Sequence, residues 1–243
     1  MVDGMALSPR LQAVLDFVGG YIEPCADLIN EETIILPIKI LADIGTDHAY
    51  LPIAAMQQRL CSAAIACDLH PGPLSIANHN IREAGLADKI QTRLGDGLSP
   101  LSPGEASCIV IAGMGGMRIW GILLEGMAQA RQAEGLILQP QHDIVLLRKN
   151  LHGAGFEIQD ERIVREMVAG REHFYTVVAA RYTSGAFLWS DREYFLGKYL
   201  IEKGGADFNA FVEREREKIH AYLSQIRDSK SLCDARKRLE WLD

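Results

Sequence analysis

Asp43, Gly45, Asp47, His48 and Tyr50 fall within eight residues, "DIGTDHAY" (43–50), and gather two carboxylates, an imidazole and a phenol around one glycine. Apolar residues 40–42 lead into them, so the run reads as a strand end turning into a helix. Carboxylates there can hold hydroxyl groups or a cation, and the two rings can stack on a base or hydrogen-bond to it. Two more acids follow later apolar runs: Asp68, 23 residues after Gly45, and Asp96, just before Gly97. An acid at the first position catches ribose hydroxyls, and one at the second suits an adenine amino group. Singly, each could be an ordinary helix cap. One acid per successive strand end describes an adenosine site.

Two common cofactors contain adenosine, and the turn separates them. NAD calls for G-x-G-x-x-G, so that a helix N-terminus can approach the pyrophosphate. Here Asp47 and Ala49 stand where further glycines would be, and Asp47 would repel a pyrophosphate. S-adenosyl-L-methionine carries a sulfonium cation and no phosphate, so the acidic turn favours it. An NAD-dependent oxidoreductase is the alternative enzyme reading.

The elements that position these residues alternate. Strand-like runs at 38–44, 62–67, 90–94, 107–112 and 135–139 are separated by helical stretches at 50–60, 72–85, 117–130 and 142–153. Ahead of them, residues 8–18 predict a helix, with Ser8 as cap, Pro9 in the first turn and one apolar face. Two β-rich runs, 156–164 and 174–183, predict an antiparallel hairpin at one edge. The pattern implies an α/β fold with a mostly parallel seven-stranded sheet flanked by helices, whose ligands bind at the carboxyl ends of the strands.

After Ser184 the periodicity becomes helical, with Phe208, Phe211, Val212, Ile219, Tyr222, Leu223 and Ile226 near 3.5-residue spacing. The expected division is a sheet domain over 1–184 and a helical, coiled-coil appendage over 185–243. Helices packed on the sheet are the alternative. The formal net charge of −7 lies entirely before this segment and argues against a general nucleic-acid-coating protein. Basic residues gather late, at Arg227, Lys230, Arg236, Lys237 and Arg238, and can meet phosphates locally. No apolar run approaches a membrane span, and the first ten residues lack a signal pattern. Five scattered cysteines without a C-x-x-C pair predict buried thiols, and the seven histidines show no metal-ligand spacing. The chain reads as a soluble protein of a reducing cytoplasm, with no metal and no membrane partner.

"ADIGTDHAYLP", "GDGL", "IAGMGG" and "LILQP", in this order and spacing, resemble the bacterial tRNA (adenine-22-N1)-methyltransferase family, and "LSPRL" (7–11) resembles its opening motif. The resemblance covers roughly residues 6–18 and 38–183, and the helical end in general character. It implies a Rossmann-like class I methyltransferase domain with a C-terminal coiled coil, S-adenosyl-L-methionine as cofactor and tRNA as substrate. Residues 19–37 are longer than the family's usual link.

Carried over by position, Asp43, Gly45, Asp68, Asp96 and Gly97 would form the cofactor site. Gly113, Gly115 and Gly116 would let a base approach the backbone, or simply form a tight strand–helix turn. Met114 would pack on that base, or fill the core. Arg10, Gln139 and Pro140 are candidates near the base or its backbone. Asp47 would stabilise positive charge on the methylated base or accept from its amino group. Its alternative role is to cap the helix beginning near Tyr50. His48 and Tyr50 would stack on the base or hydrogen-bond to it. A non-catalytic S-adenosyl-L-methionine sensor or assembly protein is the reading from another class.

Overall fold

The computed structural model of the protein describes residues 7–21, 39–225 and 228–242. Most of the long link expected at 19–37 lies outside them, as do Cys25, Ile226 and Arg227.

Seven strands form one sheet in the order β3-β2-β1-β4-β5-β7-β6. The parallel strands are β1 (Ile40–Ile44), β2 (Ala63–Asp68), β3 (Ile90–Leu94), β4 (Cys108–Met114) and β5 (Gly135–Pro140). Apart from the edge strand β3 (IQTRL), they are short and nearly all apolar because both faces are covered. Helices α1 (Pro9–Tyr21), α2 (Tyr50–Gln57) and α3 (Pro71–Glu83) lie on one face, with Leu15, Leu41, Val110 and Ile137 in its core. On the other lie α4 (Gly116–Glu125), α5 (Met127–Gln132) and α6 (Ile144–Gly153), around Ile44, Ile111, Leu123 and Leu151. The helix expected over 117–130 is broken at Gly126, where a Cβ would stand 2.4 Å from the Leu98 side chain.

The expected edge hairpin is present but longer. Strands β6 (Phe156–Val168) and β7 (Arg171–Tyr182) pair antiparallel along their whole length, while β7 meets β5 only through residues 178–180. The half of the hairpin nearest its tip therefore stands beyond the sheet. Alternation alone did not announce it, because Arg165, Glu166 and Glu172 interrupt the apolar pattern.

Beyond β7 come α7 (Asp191–Leu196), α8 (Lys198–Lys203), α9 (Ala206–Leu223) and α10 (Ser229–Glu240). Leu196, Leu200, Phe208, Ile219, Ala235 and Leu242 form a third apolar cluster, against which Ile163 of β6 packs. The antiparallel helical pair is α9 with α10. The short α7 and α8 join it to the sheet and were not separate expectations. Cys61, Cys67 and Cys108 are buried and Cys233 is exposed. No described helix is long and apolar enough to cross a membrane.

Candidate active site at the carboxyl ends of the strands

The sheet order reverses between β1 and its neighbours β2 and β4, and a crevice opens at such a switch point. Here it is a cleft of about 540 Å³, floored by the ends of β1, β2 and β4 and reached from one side by Arg10.

The floor is set by the turn after β1. The backbone N–H groups of Gly45 and Thr46 both donate to the Cys67 carbonyl, 2.9 Å each, which curls the chain over β2. Gly45 has φ +74°, and a Cβ there would meet the Met114 methyl at 2.3 Å. The Met114 methyl thus lies across the turn, and the left-handed backbone is what favours glycine there. Asp47 (φ 53°) and Ala49 (φ 59°) are also left-handed. Asp tolerates that region, whereas Ala costs about 1 kcal/mol there. The strain brings Asp47, His48 and Tyr50 to the cleft together.

The capping alternative for Asp47 does not hold. The cap of α2 is Ala49, with no side-chain hydrogen bond. The Asp47 carboxylate is 65% exposed and lies 2.8 Å from His48 Nδ1. The His48 ring stacks on Tyr50, centroids 5.3 Å apart and 13° between planes.

The other acids are held differently. Asp68 is nearly buried, its oxygens accepting from the backbone N–H of His70 (2.9 Å) and of Asp47 (3.3 Å). Asp43 is buried and accepts from the Thr46 hydroxyl at 2.7 Å. Burial pushes its pKa up to about 6; the Thr46 hydrogen bond opposes this and the nearby Asp68 charge adds to it. Asp96 stays exposed and pairs with Arg118 at 3.0 Å. Gly97 (φ +53°) lines the cleft beside it, a Cβ there falling 3.0 Å from Ile122.

The far wall shows what the glycine-rich run does. Gly113 belongs to β4 rather than to the turn after it, as a bulge between Ala112 and Met114 with φ +77°. Its N–H donates to Gln139 Oε1 at 3.1 Å, and Arg10 donates to the same oxygen at 3.2 Å. Gln139 Nε2 donates to the Pro140 carbonyl at 2.9 Å. Gln139 is fully buried. It and Pro140 are buried and do not themselves line the cleft, so neither faces a base directly. Gln139 instead positions Gly113 and Arg10. Gly115 and Gly116 also lie off the cleft. A Cβ on Gly115 would fall 2.4 Å from the His142 ring, and one on Gly116 2.7 Å from the Asp143 carbonyl oxygen. Those two glycines make room for the β5–α6 loop rather than for a base.

Sequence reasoning missed Thr46, Gln141 and Leu69, which line the cleft. It also missed Tyr175, whose ring lies under the Arg10 guanidinium, 5.3 Å from centroid to Cζ. Thr46 could have been found from its place in the turn; Tyr175 carries no local signal. Among the described residues, no group of three or more His, Cys, Asp or Glu is placed to hold a metal.

The family model described as tRNA (adenine(22)-N(1))-methyltransferase matches residues 41–241, which takes in the C-terminal helices and all of the cleft's lining but Arg10 and Leu11. The chain belongs to this family. A Bacillus subtilis (strain 168) relative, tRNA (adenine(22)-N(1))-methyltransferase, is 42% identical over 162 residues. That alignment covers 67% of this chain and 61% of the relative. The crystal structure of the B. subtilis M1A22 tRNA methyltransferase superposes with a TM-score of 0.78 at 30% identity, covering 98% of each chain. A Streptococcus pneumoniae protein, described as a candidate tRNA (m1A22) methyltransferase, is solved in complex with S-adenosyl-L-methionine. It gives a TM-score of 0.80 at 31% identity, again over 98% of both chains.

Proposed function

We propose that the protein transfers the methyl group of S-adenosyl-L-methionine to N1 of an adenosine in tRNA, position 22 by family membership, in the cytoplasm where tRNA is modified. The observation that carries this is a cleft whose turn supplies acids where a dinucleotide site supplies glycines. The cofactor brings an activated methyl on a cationic sulfur. Asp68 fits its ribose hydroxyls and Asp96 its adenine amino group. Asp43 and Asp68 favour its positive charge. The same acids disfavour NAD. The wall of Arg10, Gly113 and Tyr50 favours an enzyme over a sensor, because a sensor needs no second slot beside the cofactor.

Adenine N1 already carries a free lone pair at neutral pH, so the chain needs no strong base. Its task is alignment, which supplies roughly 7–11 kcal/mol of barrier lowering when geometry is right. The target base must leave any pairing at a cost of a few kcal/mol. His48, Tyr50, Met114 and Gly113 then form the slot that receives it, and the Asp47 carboxylate faces the charge that grows on the ring. The segment over 185–243 would add phosphate contacts through Lys230 and Arg236, both exposed on α10.

The deciding experiment is nucleoside mass spectrometry of unmodified tRNA incubated with protein and labelled cofactor. Labelled 1-methyladenosine is expected, and unlabelled RNA with bound cofactor would favour the sensor. Two substitutions test the roles. Asp68→Ala should weaken S-adenosyl-L-methionine binding by about 10-fold or more in calorimetry, since a charge-assisted hydrogen bond contributes roughly 1.5–3 kcal/mol. Unchanged affinity would move the ribose elsewhere. Asp47→Asn should slow single-turnover methylation about 10-fold, near 1.4 kcal/mol, at unchanged melting temperature and cofactor affinity. Asn suits the left-handed backbone at this position, and no helix cap is lost. A wild-type rate would leave base positioning to His48, Tyr50 and the β4 bulge.

A further inference from the structure

Arg10, Tyr175 and His173 form a row of flat side chains leading out of the cleft. Arg10 lines the cleft, with its guanidinium over Tyr175. Tyr175 in turn faces His173, with centroids 6.0 Å apart and planes within 11°. The two rings are alternate residues of β7, so they share one face of the hairpin. That face turns towards α1, because Val177, next in the alternation, is buried in the cluster that α1 covers. All three planar groups remain partly exposed.

The opposite face of the hairpin is occupied. Phe174 packs edge-on against Phe211 of α9, centroids 5.9 Å apart, with the Arg214 guanidinium over its ring at 5.6 Å. Arg214 also donates to the Glu172 carbonyl. The C-terminal helices therefore brace the part of the hairpin that stands beyond the sheet. The row of planar groups is held in place from behind.

The row is poorly suited to act by charge. Glu166 stands directly across from His173 in the ladder, on the same face, so an acid adjoins the row. What it offers is flat surface at the mouth of a slot for a nucleobase. Unpaired bases stack on such groups whatever their identity, and a base extruded for chemistry leaves its neighbours unstacked.

We propose that Tyr175 and His173 form a stacking platform for the RNA bases that flank the target adenosine, with Arg10 joining that platform to the cleft. This rests on the methyltransferase reading for the identity of the RNA, and not for the presence of the platform.

The test uses the full-length protein and a tRNA transcript carrying 4-thiouridine, irradiated and mapped by peptide mass spectrometry. Nucleotide adducts on Tyr175 or His173 are expected. In parallel, His173→Ala should raise the KM for tRNA about 10-fold, the effect of losing one base stack. The kcat at saturating tRNA and the affinity for S-adenosyl-L-methionine should stay near wild type, and His173→Phe should restore the KM. Adducts confined to other regions, together with an unchanged KM for a folded His173→Ala protein, would overturn the platform. Adducts on β7 in a protein that forms no 1-methyladenosine would support the platform and sink the methylation reading. A platform that bound a protein partner instead would give no adduct at either ring.

Discussion

Asp43→Asn should stabilise the folded chain at neutral pH, although it removes a residue from the heart of the cleft. The Asp43 carboxyl is buried, and its pKa rises from an ordinary value of 3.8 to about 6 on folding. Between those values the folded state holds the proton and the unfolded state does not. Stability therefore falls as pH rises from about 4 to about 6 and levels off above that. The whole penalty is on the order of 2–3 kcal/mol above pH 6. Asn carries no charge, keeps an oxygen for the Thr46 hydroxyl and escapes the penalty. Melting curves from pH 4.5 to 8 should show the variant's advantage growing up to pH 6 and then holding steady. A gap that did not change with pH would mean that Asp43 is better solvated than its burial implies. The substitution should also lower the preference for S-adenosyl-L-methionine over its neutral product, since the carboxylate that destabilises the empty cleft is compensated by a cation. A stability gain without that loss would separate Asp43 from the sulfonium.

That cost was legible in part. The position of Asp43, at the end of an apolar strand and before a glycine, is a local pattern, and so are the strand-end acids Asp68 and Asp96. Parallel strands buried on both faces produce short apolar runs, and these fixed the sheet elements well. The walls of the cleft were harder to read because they are built by distant pairs. Arg10 meets Gln139 across 129 residues of sequence, and Tyr175 comes from β7, next to the sheet's edge strand. No spacing rule joins them. "AGMGG" shows the same limit from the other side. Its composition announced close approach but not by what, and only the structure separates Gly113, a bulge on the cleft, from Gly115 and Gly116, which admit a loop. Helices α7 and α8, six residues each, are too short to generate a periodic signal.

Arg148→Met should cost roughly 3–5 kcal/mol, the usual effect of stranding one member of a buried ion pair. Arg148 is 1% exposed on α6, and its Nε donates to Glu161 of β6 at 2.7 Å. Its Nη1 donates to the carbonyls of Tyr194 at 2.9 Å and Phe195 at 3.2 Å, both in α7. One guanidinium thus joins the sheet, its flanking helix and the first helix beyond Ser184. Gly197 closes over the pair, since a Cβ there would lie 2.6 Å from Arg148 and 2.8 Å from Glu161. Burial pushes the Glu161 carboxyl above its ordinary range, and Arg148 restrains the rise. Without Arg148 the acid must be buried charged or take up a proton, so the loss should shrink as pH falls. Adding Glu161→Leu should recover most of it, because an apolar pair needs no partner. The measurement is denaturant unfolding of the two single variants and the double variant at pH 5 and pH 8. Cutting at the proposed division, Ser184, would remove two of the acceptors that Arg148 uses. A loss below about 1 kcal/mol would indicate a solvated pair, as at a protein surface. A loss of the expected size would show that Arg148 and Glu161 are buried as a pair in the folded chain, with Gly197 closed over them.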